Sequence, residues 1–144
     1  MNEIIFTELD KKPIKKYIDF LYELLKDRKF SISHKVLPSY KEHKDFVLSH
    51  PYYKWVIISS NTSMIGSIYF QYDNSIGLHL LSKFNHLTYK VLSEFELNFK
   101  PLKADKSLRT NTFSFNVSPD DDLRKKILFE SGYKIITLVF EKNR

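Results

Sequence analysis

Apolar residues recur along this chain with two periods, and the switches between them divide it into elements. Ile4 to Leu9 reads as a short strand. Pro13 suits a first helical turn, and Ile14, Ile18, Leu21, Leu24 and Leu25 then recur at helical spacing, which predicts a helix over Pro13–Asp27. Ser39 can accept an early backbone N–H and so cap a second helix, Tyr40–Ser49, which His50-Pro51 stops. The compact run Trp55-Val56-Ile57-Ile58 predicts a buried strand. Two further strands follow over Ile65–Tyr72 and Ile76–Leu81, separated by the turns Asn61-Thr62-Ser63 and Asp73-Asn74-Ser75. These three strands form an antiparallel meander.

Leu87, Val91, Leu92, Phe95 and Phe99 mark a third helix, ended by Pro101. Thr112–Val117 alternates strictly, with Phe113, Phe115 and Val117 on one face. Ser118 is a candidate cap for a fourth helix, with Pro119 in its first turn and Asp120-Asp121-Asp122 suited to the positive helix end. Gly132 closes that helix, and Tyr133–Glu141 is the last strand. The order is strand, two helices, three strands, helix, strand, helix, strand. This implies an α/β (α+β) fold with a mixed central sheet of about six strands and about four helices. Residues 1–144 read as one domain, with no internal repeat or linker.

Composition narrows the chemistry. An apolar share of 42% in 144 residues suffices for one sizeable core. The absence of cysteine excludes disulfides, thiolate metal sites and thiol nucleophiles. No stretch approaches the roughly 20 apolar residues of a membrane span, and Met1–Asp10 lacks the features of a signal peptide. A cytoplasmic location is the expectation. The net charge of +6 comes from dispersed lysines, with no Arg-rich block or zinc motif to direct them at nucleic acid. A solvated surface accounts for them. There is no G-x-S-x-G elbow, H-E-x-x-H pair or Walker loop. The acidic run at 120–122 has no matching ligand set, so no metal site is expected.

Several segments, taken in order, resemble the GNAT acyltransferase superfamily. Met64-Ile65-Gly66-Ser67-Ile68-Tyr69-Phe70 looks like that family's strand carrying "IG" after a hairpin. Asp73-Asn74-Ser75-Ile76-Gly77-Leu78 looks like the turn into its fourth strand. Asn116-Val117-Ser118-Pro119-Asp120, followed by Leu128-Phe129-Glu130-Ser131-Gly132-Tyr133, looks like its closing signature. The segment His34–Tyr53 is similar to members that acylate amino-sugars of nucleotide sugars. The resemblance implies acetyl transfer from acetyl-CoA to a small-molecule amine or amino-sugar, in surface-polysaccharide synthesis for the latter. It also implies a fourth and a fifth strand that splay apart, leaving backbone groups for the pantetheine arm. The family's pyrophosphate loop is Gly-rich; here it reads Ser82-Lys83-Phe84-Asn85-His86-Leu87-Thr88, with no glycine. Leu128 and Asp121 stand where the family carries a tyrosine and an asparagine. A GNAT-like module that binds or assembles without acyl-CoA is the alternative.

On that resemblance His79 is the candidate general base, its imidazole having the right ordinary pKa; a satisfied or exposed strand histidine is the plainer reading. Leu78, Leu80 and Leu81 lie in the strand that would hold the pantetheine arm, with Lys83 near the pyrophosphate and Asn116 at the splay. Asn116 equally suits a local hydrogen bond at a strand end. His34, Tyr40 and His43 are candidates to line the acceptor pocket, against Tyr40 packing at a helix start and His43 facing water. Arg109 is a candidate for a substrate phosphate or carboxylate, against ordinary loop charge. A homodimer is a further expectation.

Overall fold

A computed structural model describes residues 3–28 and 36–143. The elements are β1 (Ile4–Glu8), α1 (Lys15–Asp27), α2 (Tyr40–Ser49), β2 (Lys54–Ser60), β3 (Ser63–Phe70), β4 (Ser75–Leu80), a 3₁₀ helix over Ser82–Leu87, α3 (Thr88–Asn98), β5 (Ser114–Phe115) and α4 (Asp122–Glu130). The sheet runs β1-β2-β3-β4-β5. Its first four strands are antiparallel, and β5 joins β4 in parallel.

Both faces of this sheet are covered, which explains why β2 is an unbroken apolar run rather than an alternating one. Val56 and Ile58 face α3 and α4, where Val91, Leu92, Phe95, Ile127 and Leu128 are buried with them. Trp55 and Ile57 face α1 and α2, against Ile18, Leu21, Leu24 and Val47. On the α3/α4 face Phe95 sits within 5.1–5.9 Å, centroid to centroid, of Phe70, Phe99, Phe113 and Phe115. Phe113, Phe115 and Val117 share that face, as their alternation predicts.

Helix boundaries show which local signals prevail. Ser39 caps α2 and forms a reciprocal capping box with Glu42. Helix α1 begins at Lys15 rather than Pro13, because Ile14 remains extended (ψ 161°). The cap of α4 is Asp121, not Ser118. Residues 118–121 first close a turn, Asp121 N–H donating to the Ser118 carbonyl, and the Asp121 carboxylate then accepts from Arg124 N–H. Gly132, at φ 93°, ends α4 with Tyr133 N–H donating to Leu128 and Gly132 N–H to Phe129. That paired arrangement needs a left-handed residue, which glycine supplies without strain.

The C-terminal third departs most from the sequence reading. The predicted strand Thr112–Val117 pairs only over Ser114–Phe115. Tyr133–Glu141, expected as the last strand, forms none: it belongs to no element and no sheet, and stands exposed from Lys134 onward. Five strands are therefore formed where about six were expected. The loop before β5 is held by Asn74, which is buried at φ 69°. Its amide donates to the Leu102 and Thr110 carbonyls and accepts from Leu102 N–H.

Candidate functional site

The site is built on β4. Leu81 N–H donates to Ile65 of β3, at 2.8 Å, so the backbone groups of Leu81 and His79 face β3. Period two then turns those of Ile76, Leu78 and Leu80 toward β5. The ladder with β5 ends at Ile76–Phe115, and beyond it β4 runs on alone. This is the parting of strands that the sequence reading required. Leu78 and Leu80 lie along the open edge, and Leu81 does not. The gap is not bare, because Arg124 reaches across from α4 and donates Nη1 to the Leu78 carbonyl at 2.7 Å. Burial pulls the Arg124 pKa down, and the Asp121 carboxylate opposes that.

Side-chain parity places His79 on the opposite face of β4 from Leu78 and Leu80, toward α1 and α2. A cavity of about 60 Å³ opens there between the two helices and strands β2–β4. Its polar lining is Arg28, His43, Tyr52, Trp55, Ser67, Tyr69 and His79. Gly77 makes this arrangement possible: a Cβ at that position would fall 2.0 Å from the Tyr69 ring. Tyr69 therefore lies flat across β4, stacked on Tyr52 at 4.2 Å and 5.9 Å from the His79 ring.

Among the described residues, three buried nitrogens of this lining, Arg28 Nε, Trp55 Nε1 and His79 Nε2, have no hydrogen-bond partner. Buried polar groups are nearly always paired, and an unpaired one costs about 1–3 kcal/mol. All three border the same cavity. His79 keeps some residue exposure while its Nε2 is sealed. Burial first, then the Arg28 and Arg124 cations, hold its pKa well below the ordinary histidine value. It is neutral at pH 7 and can accept a proton. Burial raises the Tyr52 and Tyr69 pKa values, so both stay phenols.

Of the other sequence candidates, His43 alone shares this cavity with His79 among the described residues. His43 is buried, not facing water; its Nε2 meets the Ile18 carbonyl at 2.9 Å, which joins α2 to α1. Tyr40 donates to Asp19 at 2.5 Å and packs edge-on against Tyr22, outside the cavity lining. Arg109 spends its guanidinium on the Lys103 and Tyr72 carbonyls. Asn116 is exposed just past β5. Lys83 is exposed over the Phe84 ring. The glycine-free loop is a 3₁₀ turn, and its first amide is already taken: Asp27 accepts from both Ser82 N–H (2.6 Å) and Ser82 Oγ (2.9 Å). His34 lies outside the described residues.

Sequence reasoning missed Arg28, Tyr52 and Tyr69, and took Trp55 for plain core. Gly77 beneath an aromatic strand was the only local trace. Among the described residues no cluster of histidine and carboxylate groups could hold a metal ion, and no helix is long and apolar enough to cross a membrane.

No family model and no curated protein sequence matches the chain. Solved structures do. An aminoglycoside N-acetyltransferase in complex with CoA is 12% identical, with a TM-score of 0.58 over 100% of this chain and 97% of that one. A GNAT family acetyltransferase from Streptococcus pneumoniae is 10% identical, with a TM-score of 0.52 over 99% of both chains. An integron cassette protein from Vibrio cholerae is 10% identical, with a TM-score of 0.62 over 97% of this chain and 93% of that one. With β4 parting from β5 and helices on both faces of the sheet, the chain has the fold of the GNAT acetyltransferases.

Proposed function

We propose that the chain is an N-acetyltransferase that moves an acetyl group from acetyl-CoA to an amine, with an amino-sugar as the acceptor class. The observation that carries this is the end of the β4–β5 ladder at Ile76–Phe115, beside a neutral and unpartnered imidazole. The open edge at Leu78 and Leu80 is the backbone that an extended pantetheine arm pairs with, as an added strand does. Lys83, in the turn after β4, and Asn116, just past β5, are the exposed polar side chains this reading assigns to the cofactor. The likeness to an aminoglycoside N-acetyltransferase in complex with CoA supports both donor and acceptor class.

In this reading the acceptor enters from the α1/α2 face. His79 Nε2 takes a proton from the incoming ammonium, and the free amine attacks the thioester carbonyl. The C–N bond forms, the C–S bond breaks, and the thiolate leaves to be protonated. Burial and neighbouring cations keep His79 in the base form, at the cost of basicity.

A second reading, a GNAT-fold module without acyl-CoA use, is favoured by two contacts. Arg124 already occupies the Leu78 carbonyl, and Asp27 already occupies the Ser82 amide. Calorimetric titration with acetyl-CoA separates the two. Saturable binding is expected, with His79→Gln retaining binding and losing transfer by about 10²–10⁴-fold. No heat at millimolar ligand rejects the transferase in favour of the binding module.

A further inference from the structure

We infer that the cavity between α1, α2 and β4 recognises a carboxylate or phosphate on the acceptor, with Arg28 as its counter-ion. This rests on the transferase reading only for the word acceptor; the anion site stands on its own geometry. Arg28 ends α1 and lines the cavity, and burial pulls its pKa down. A buried cation is ordinarily paired. No carboxylate forms an ion pair with it among the described residues, and 29–35 contains neither Asp nor Glu. Asp27, its neighbour in sequence, is committed to Ser82. Arg28 Nε–H and Trp55 Nε1–H are donors only, both enclosed and both without an acceptor among the described residues. His79 Nε2 is the third unpaired nitrogen on the same space. An anion supplies what two fixed donors and an unpaired guanidinium lack: acceptor oxygens and negative charge. It also offsets the cation that would otherwise repel an incoming ammonium.

Trp55 is the only tryptophan, so its indole N–H gives one resonance that reports on the cavity. That resonance would be followed while acetate, inorganic phosphate and neutral acetamide are titrated into the full chain. A saturable shift is expected with at least one anion and none with acetamide. The anion that saturates first distinguishes carboxylate from phosphate. Arg28→Gln should abolish the response while its dispersed spectrum shows it folded, and Arg28→Lys should weaken it. An equal response to acetamide, no response to either anion, or an anion response that survives Arg28→Gln overturns the assignment. Acetyl-CoA binding is scored separately: its loss with the anion response intact rejects the transferase alone, and the converse rejects only the anion site.

Discussion

The two faces of the sheet solve opposite problems with the same strands. The α3/α4 face is closed by phenylalanines around Phe95 and buries no histidine among the described residues. The α1/α2 face holds the cavity, three shifted histidines and a cation without an acid. One face maximises contact; the other leaves polar atoms unpaired around a space. Close packing and the cavity are thus separated by the parity of a strand: the side chains of Leu78 and Leu80 point one way, that of His79 the other.

The largest effect that sharpens this contrast is on the closed face. Phe95→Ala removes the ring at the centre of the aromatic cluster, and about 3–5 kcal/mol of stability should be lost. Urea denaturation measures it. A loss under 1 kcal/mol would mean that this face is not the better packed one.

Acid should attack the other face. His43, His50 and His79 all have pKa values held below the ordinary value, with burial the first cause in each. The unfolded chain therefore takes up protons below about pH 6.5 that the folded chain refuses. The stability contribution is fully present above that pH and falls as the pH drops toward the folded values. The slope approaches about 1.4 kcal/mol per pH unit for each such histidine within that window. The lowered carboxylates Asp19 and Glu42 act at lower pH and do not confuse it. His79→Gln should flatten the dependence of Tm on pH between 6.5 and 5. An unchanged slope would show that His79 is not kept neutral.

The closed face was readable because its signals are local. Spacing of Leu87, Val91, Leu92 and Phe95 marks a helix whatever it packs against, and alternation at Phe113, Phe115 and Val117 fixes their shared face. Ser39 with Glu42 and Gly132 declare helix ends through bonds made within one turn. Chain order and parity also located the strand parting and His79. What sequence could not reveal depends on partners distant along the chain. Arg28 resembles any solvated charge at a helix end until Trp55, Tyr69 and His79 converge on it from three strands. Arg124 reads as one of three basic residues in a row, although it reaches Leu78. Tyr133–Glu141 carries every mark of a strand, yet it forms none and stands exposed from Lys134 onward.

The smallest effect tests the contrast most directly, because its sign differs from that of an ordinary truncation. On the closed face every buried side chain contributes to stability, so a substitution there costs. Arg28 is instead a partly buried cation with no acid beside it. Replacing such a charge with an unbranched apolar side chain removes a desolvation cost and keeps much of the packing. Arg28→Met should therefore raise stability by about 1 kcal/mol, read as a higher urea midpoint at unchanged m-value, while the Trp55 response to anions disappears. A stabilised variant that has lost its ligand identifies Arg28 as a residue retained for binding. A destabilised one would show that the guanidinium is held by the fold itself, and the two faces would then obey one rule.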